Sequence, residues 1–332
     1  MRIIYIFLMA IFFIVIVNSC GSDSSDKSTT PNIEDDLCEV TTPKSVLITP
    51  NKIRSLWSVQ NIKGVSIDTP IALAYEGSKE EIYVAHNNGQ VISKLSSDGN
   101  ISASKSIGSW IVGFNAISSI KTIQNKLYVA DSHRVYVFDL SMLLQASNNT
   151  ISLAKTYVDM GVDLNDMAVD AKGNIYLSVK NQNKLYKIDA STAYGVIDLQ
   201  KDFDVTLYLS NINSLYNADC NIVYGGVGAY LSKLIEGQPA ESLVNHSSNT
   251  DPVNLTSIDL YNFNDNGNRV YLVADNKSEI KVVYDRNKTI RGLEGGYIGG
   301  SDVGRFVFLR SNNILIIPKI SSNMLEAYII EE

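Results

Sequence analysis

A short apolar strand recurs six times along the chain, at intervals of roughly 44 to 48 residues. The copies are Glu81–Ala85, Lys126–Ala130, Asn174–Ser178, Asn221–Gly225, Arg269–Ala274 and Asn313–Ile317. A fixed period of this size, made of strands and turns, is typical of the blades of a β-propeller. The repeat therefore predicts an all-β chain folded as a six-bladed β-propeller.

The segments around each copy follow the same order along the sequence. A first apolar segment, predicted to be the inner strand of its blade, comes before the repeat, and a polar turn rich in Gly, Asn or Asp joins the two. These inner strands are predicted at Ile71–Tyr75, Ile117–Ile120, Met167–Val169, Ser214–Tyr216, Ser257–Leu260 and Arg305–Leu309. A third strand with alternating apolar residues follows, as in Arg134–Asp139, and a variable fourth strand, such as Ile151–Tyr157, closes most blades.

The two ends of the repeat array indicate how it closes. The sixth copy runs out after its third strand, at Ile329–Ile330, and one unassigned strand, Ile53–Val59, precedes the first copy. We expect this N-terminal strand to complete the last blade, because pairing the first and last segments removes open sheet edges.

Residues 1–19 are typical of a lipoprotein signal peptide. Arg2 precedes an apolar run, Ile3–Val17, that is short for a membrane span. Val17–Cys20 resembles a bacterial lipobox, in which Cys20 becomes the lipid-modified N-terminus; a plain secretory signal or an uncleaved anchor is the alternative. The polar residues that follow predict a flexible tether over 20–44, which leaves 45–332 for the propeller. Lipidation would anchor this domain to a membrane of the bacterial cell envelope, on the periplasmic or surface face of the outer membrane.

Net charge and cysteine content limit which partners, disulfides and metal sites the chain can have. The net charge is −7 and no basic stripe is present, which argues against a nucleic-acid partner. With Cys20 used for the lipid, Cys38 and Cys220 remain, and in an oxidising compartment they form either a disulfide or two separate thiols. No Cys-x-x-Cys or Cys/His spacing of a metal site occurs.

Two stretches carry a more specific likeness. Asp166–Ser178 followed by Asn183–Asp189, and also Lys126–Asp139, resemble NHL-type repeats. The wider group includes the senescence-marker and gluconolactonase-like six-bladed propellers. The resemblance implies the fold, and this fold hosts enzymes, scaffolds and receptors alike.

A polar Asp or Asn stands just ahead of every predicted inner strand. These candidate binding residues at the central mouth of the propeller are Asp68, Asn115, Asn165, Asn213, Asn254 and Asp302. Three interpretations are open. The ring of oxygens could hold Ca²⁺ or another divalent cation, it could hydrogen-bond a polar ligand, or these residues could simply favour the turns that start strands. The gluconolactonase-like enzymes bind their metal at this mouth, which the resemblance would transfer to Asp68 and Asp302, but their ligand motifs are not found here.

Other side chains are better explained by structure than by chemistry. His86 and His133 follow the second strands of adjacent blades and are expected to be solvated turn residues. The recurrent tyrosines Tyr83, Tyr128, Tyr176 and Tyr271 are expected to pack between blades. The sequence favours a non-catalytic propeller that binds a protein, peptide or glycan. The alternatives are a metal-dependent lactonase or related hydrolase, and a periplasmic assembly scaffold.

Overall fold

The regular structure of the chain is almost entirely β-strand in a computed structural model. The structure describes residues 49–62, 65–77, 81–96, 109–143, 149–154, 156–190, 205–206, 212–219, 222–227, 230–235, 241–245, 254–263, 268–299 and 302–332. All of them belong to one unit, Leu37–Glu332. The predicted signal peptide and tether lie outside the described residues, as do Cys20, Cys38 and Cys220. Within these ranges no helix is long and apolar enough to cross a membrane.

The described strands begin with β1 (Lys52–Val59) and a hairpin of β2 (Asn61–Ile62) and β3 (Val65–Ser66). Six successive groups of strands follow, and each is named by its order along the chain. Group 1 contains β4 (Ala72–Glu76), β5 (Glu81–His86), β6 (Val91–Ser96) and β7 (Ser109–Val112), with β11 (Asn149–Thr150) added parallel to β7. Group 2 contains β8 (Ile117–Ile123), β9 (Lys126–Asp131), β10 (Arg134–Asp139) and β12 (Thr156–Asp159).

The remaining groups repeat this antiparallel order. Group 3 contains β13 (Leu164–Val169), β14 (Ile175–Val179), β15 (Lys184–Ile188) and β16 (Val205–Thr206). Group 4 contains β17 (Ile212–Asp219), β18 (Ile222–Val227), β19 (Tyr230–Ile235) and β20 (Glu241–Asn245). Group 5 contains β21 (Leu255–Phe263), β22 (Arg269–Asp275), β23 (Glu279–Tyr284) and β24 (Thr289–Tyr297). Group 6 contains β25 (Val307–Leu309), β26 (Ile314–Lys319) and β27 (Met324–Glu331). The all-β prediction is confirmed.

One predicted strand is wrong in part. Ile151–Tyr157 was expected to be a fourth strand, but Ile151–Leu153 forms a turn of 3₁₀ helix and the strand is β12. The reason is that the residues just before the turn extend group 1, where Asn149 pairs parallel with Ile111 of β7. The chain must then turn before it can join β10 of group 2.

The N-terminal strand joins the C-terminal one, as the sequence predicts. β1 pairs antiparallel with β27, from Lys52 opposite Glu331 to Val59 opposite Leu325, and so becomes the fourth strand of group 6. Lys52 also pairs with Glu294 of β24, which links groups 5 and 6 into one eight-stranded sheet.

Six hydrophobic clusters hold the groups together, and each cluster lies between two groups. Five of them join groups that are successive along the chain. The sixth joins the last group to the first, with Leu309 and Ile316 of group 6 packed in one cluster with Leu73 and Val84 of group 1. The main chain closes the same way, since Arg305 N–H donates to Ile71 O and Leu73 N–H donates to Arg305 O, both at 2.9 Å. The first strands of the groups therefore enclose a central space.

The predicted packing role of the recurrent tyrosines is confirmed by their burial. Tyr83, Tyr128, Tyr176 and Tyr271 are each 3% exposed or less. Tyr128 of β9 belongs to the cluster that joins groups 2 and 3. The phenolic hydroxyl of Tyr176 donates to Asp170, in the turn that precedes β14, at 3.3 Å.

A buried polar residue recurs on the inner strands. In groups 2 to 5 the first strand has a β-bulge at its second residue. The residue after the bulge is polar and buried each time: Ser119, Asp166, Ser214 and Ser257. Asp166 Oδ2 accepts the Leu215 N–H at 2.7 Å, and Ser257 Oγ accepts the Phe306 N–H at 3.1 Å. Both bonds tie an inner strand to the next one around the central space.

Candidate functional site

The six Asp and Asn residues predicted from the sequence occupy two kinds of position. Four of them are exposed and lie in the segments that precede inner strands: Asp68, Asn115, Asn254 and Asp302. Asp68 Oδ1 accepts a hydrogen bond from Ser66 Oγ at 2.8 Å, and Asp302 Oδ2 accepts one from Ser321 Oγ. Each of the two carboxylates is thus engaged by a nearby serine.

The other two predicted residues lie within strands and are brought together by an arginine. Asn165 and Asn213 are the second, bulged residues of β13 and β17. Arg305 Nη2 donates to the main-chain carbonyls of both, at 2.7 Å to Asn165 O and 3.2 Å to Asn213 O. Asn165 uses its side-chain amide to donate to Ile212 O of the next group. Their side chains are partly buried.

Arg305 also forms an ion pair with a buried carboxylate. Its Nε lies 2.8 Å from Asp166 Oδ1, with the Arg305 and Asp166 side chains only 15% and 2% exposed. The Nε–H bond is not directed at an acceptor among the described residues, so the contact with Asp166 is ionic. Arg305 stands at the start of group 6, whose inner strand neighbours groups 5 and 1, whereas Asp166 belongs to group 3. The guanidinium therefore crosses the central space at the end where the inner strands begin.

At the other end of the inner strands the central space widens into a cavity of about 420 Å³. Every group contributes to its lining, for example through Leu73, Lys121, Val169, Tyr216, Asp259 and Phe308 in groups 1 to 6. Two exposed lining residues, Gly77 and Ser311, mark its rim. The volume is in the range of small-molecule sites, which are about 300 to 1,000 Å³.

Three polar side chains from neighbouring groups form one network in the cavity wall. Arg310 Nη2 donates to the hydroxyl of Tyr216 at 3.0 Å, and Arg310 Nε donates to Leu260 O at 2.9 Å. The same guanidinium lies 3.8 Å from Asp259 Oδ1. Asp259 Oδ2 accepts the Phe308 N–H at 2.8 Å. The network orients the arginine at the cavity surface.

Burial in this wall shifts the ionisation of the network. Burial raises the pKa of the Asp259 carboxyl, although Arg310 and Lys121 oppose the shift by their charge. Burial likewise raises the pKa of the Tyr216 phenol. For Arg310, burial acts to lower the pKa, but Tyr216 and Asp259 outweigh it and the pKa is raised. Arg310 is thus held as a cation.

Lys121 and Thr122 offer polar atoms that the described protein does not use. Lys121, at the end of β8, acts electrostatically on Asp259 but forms no hydrogen bond or ion pair with any described residue. The Oγ1 atom of Thr122 is buried and has no hydrogen-bond partner among the residues that the structure covers. Lys121 lines the cavity and its ammonium is available to a ligand there, whereas the Thr122 hydroxyl is buried within the protein and is not accessible from the cavity.

The hydrolase interpretation requires Asp68 and Asp302 to anchor a cation. Across the described ranges, no group of three or more His, Cys, Asp or Glu side chains is arranged to hold a metal ion. The structure thus offers no observation that favours a catalytic metal at these positions.

The two histidines at or just after the ends of the second strands of groups 1 and 2 differ in their surroundings. His86 was expected to be a solvated turn residue, but it is the last residue of β5 and only 4% exposed, so that prediction is wrong. Its Nε2 lies 2.8 Å from Ser93 Oγ on the neighbouring strand, and burial lowers its pKa. His133 is partly exposed in the turn after β9, with Nε2 3.6 Å from Asp159 Oδ2.

The cavity residues could have been found from one signal in the sequence. Inner strands of a closed ring should be apolar or small, yet Asp259 interrupts the predicted strand Ser257–Leu260, and Arg310 directly follows the predicted strand Arg305–Leu309. A charge at such a position is costly unless it is paired or functional. The predicted Asp and Asn residues mark the starts of the inner strands, whereas these cavity side chains lie towards their ends.

Comparison with known proteins adds no relative to this picture. No protein-family model matches the sequence, and no curated protein is significantly similar to it. The functional argument therefore rests on the geometry of the central space.

Proposed function

We propose that the chain is an NHL-like six-bladed β-propeller, exported as a bacterial lipoprotein, that binds a protein, peptide or glycan partner without catalysis. The observation that carries the binding role is the central cavity, which is lined from all six groups of strands and places the charged side chains of Lys121 and Arg310 beside apolar walls. Such a mixture of a few polar groups with apolar and aromatic side chains is typical of ligand sites.

Three features support the propeller. The inner strands of groups 1 to 6 neighbour one another in order, and the last neighbours the first. The hydrophobic clusters follow the same cyclic order. The N-terminal strand β1 supplies the fourth strand of group 6, which is how a ring of antiparallel sheets removes its open edge.

The binding role is tested on the full chain by thermal melting against panels of peptides and oligosaccharides. A ligand present at 100 times its Kd should stabilise the folded protein by about 2.7 kcal/mol. Gly77→Trp should abolish the shift, because Gly77 lines the cavity rim and a bulky side chain there should block entry. An added Cβ meets only Tyr75 Cε1 among the described atoms, at an ordinary contact distance of 3.6 Å. A ligand that stabilises Gly77→Trp as well as the wild type would show that the cavity is not the site.

The membrane anchor needs a separate test. Cys20→Ala should abolish incorporation of radiolabelled palmitate and should move the protein out of the membrane fraction of the expressing bacterium. Cys38→Ala is the matched control and should keep both properties. Palmitate labelling that survives Cys20→Ala would refute lipidation at this residue.

A further inference from the structure

The positive side chains that line the cavity outnumber the negative ones among the described residues. Among the described residues of the cavity lining, Lys121 and Arg310 are cations and Asp259 is the one acidic side chain. Asp259 is already used by the protein, since Oδ2 accepts the Phe308 N–H and Oδ1 accepts the Leu260 N–H, both at 2.8 Å. The cavity therefore presents a surplus of positive charge.

The two cationic side chains also have more hydrogen-bond donors than the described protein uses. The guanidinium of Arg310 has five N–H donors, and its two described hydrogen bonds, to Leu260 O and Tyr216 Oη, leave others for a ligand. Lys121 has three donors and makes no hydrogen bond to any residue in the described ranges. Two cationic donors on one cavity are best satisfied by an acceptor that carries a negative charge.

Much of the remaining lining is apolar, and several of its side chains are fixed by packing. Phe306 and Phe308 are 3% and 4% exposed, and Phe308 packs on Tyr261 with ring centroids 5.1 Å apart. Ile258 and Val169 add aliphatic surface from groups 5 and 3. Because these side chains are already buried, the apolar surface open to an occupant comes from partly exposed lining residues such as Tyr75 and Ile123, and the occupant should bury apolar atoms against them.

We propose that the cavity binds a carboxylate joined to an apolar body, with the carboxylate between Lys121 and Arg310 and the apolar part against Tyr75 and Ile123. The inference rests on the proposed binding function and names its ligand class. Two sources share this chemistry: a free aliphatic or aromatic acid, and the C-terminal residue of a peptide with an apolar side chain.

The test uses matched pairs of probes that differ in charge alone. Calorimetric titrations of the full chain in detergent would compare 3-phenylpropanoate with 3-phenylpropanamide, and the peptide Ala-Ala-Ala-Phe with its C-terminal amide. Each acid should bind at least about tenfold more tightly than its amide, which corresponds to about 1.4 kcal/mol. Binding of the peptide acid far tighter than of 3-phenylpropanoate would identify a chain end as the source, and the reverse order would identify a free acid.

Variants of the protein test the ligand class and the location of the binding site separately. Lys121→Met should weaken acid binding by at least about tenfold and leave amide binding unchanged, whereas the control Lys180→Met, an exposed lysine in the turn after β14, should change neither. Amides that bind as tightly as acids, no effect of Lys121→Met, or no binding by any of the four probes would overturn this inference. Acid binding that survives Gly77→Trp would instead refute the cavity as the site and with it the proposed function.

Discussion

Removal of the Arg305 side chain tests whether an ion pair across the central space holds the inner strands together. Arg305→Met deletes the 2.8 Å contact with Asp166 and two hydrogen bonds to main-chain carbonyls, at 2.7 and 3.2 Å. It leaves a carboxylate that is 2% exposed without its counter-charge. Breaking a buried pair in this way costs about 3 to 5 kcal/mol. The exposure of Arg305 is low enough that solvent screening should reduce this figure little.

The assay is urea denaturation of the full chain, with the midpoint and slope both recorded. Arg291→Met is the matched control, because Arg291 is exposed and its single described bond, Nη2 to Asn51 Oδ1 at 2.7 Å, is on the surface. The control should lose no more than about 1 kcal/mol. Arg305→Lys keeps the positive charge but lacks the planar guanidinium that donates to two acceptors. Its unfolding free energy should therefore lie between that of Arg305→Met and that of the wild type.

A double-mutant cycle isolates the pair itself. The double variant Asp166→Asn/Arg305→Met should lose less unfolding free energy than the sum of the losses of the two single variants, with a coupling energy of about 1 to 3 kcal/mol. The reason is that the double variant leaves no unpaired buried charge. The reasoning is refuted if Arg305→Met loses as little stability as Arg291→Met, or if the two changes are additive.

Three further predictions concern the loops and the cavity wall. Gly89→Ala should lower the unfolding free energy by more than about 2 kcal/mol, because Gly89 has φ +76° and an added Cβ would lie 2.5 Å from Ile117 N. Gly161→Ala should cost only the strain of a non-glycine residue at φ +64°, because nothing lies within 4 Å of its added Cβ. Equal losses of unfolding free energy for the two variants would contradict this. Because burial raises the pKa of the Asp259 carboxyl above its ordinary 3.8, its contribution to stability is complete below that pH and is lost as pH rises through the folded-state pKa. The unfolding free energy of the wild type relative to Asp259→Asn should therefore fall as the pH rises above 3.8, and a rise would reverse the assigned sign. Thr122→Val should raise the unfolding free energy of the ligand-free protein by up to about 1 kcal/mol by removing a buried hydroxyl that has no partner in the described structure; a loss would mean the hydroxyl is satisfied.

The repeat period and the alternating strands were sufficient to predict the all-β structure and the pairing of the two chain ends. Ile53–Val59 was unassigned by the repeat and apolar on one face, and it is found as β1 beside β27. This succeeded because strand formation depends on local alternation and on turn residues, both of which are readable along the sequence. The failure at Ile151–Leu153 also has a local cause, because a two-residue pairing with the previous sheet is too short to leave a pattern.

The site depended on information that the sequence does not carry along its length. A polar residue near the start of each strand could be seen in the sequence, but its exact position could not. Asn165 and Asn213 are the bulged second residues of their strands, whereas that position is Ser118 in group 2 and Thr256 in group 5, so Asn115 and Asn254 are not equivalent to them. Arg305 and Asp166 are separated by more than a hundred residues in sequence, and Lys121 and Asp259 act on each other from different groups. The sequence alone determined the strands, because their formation is governed by neighbours in the chain. Only the tertiary structure decided which charges share the central space, because that depends on closing the ring of sheets and bringing distant strands face to face.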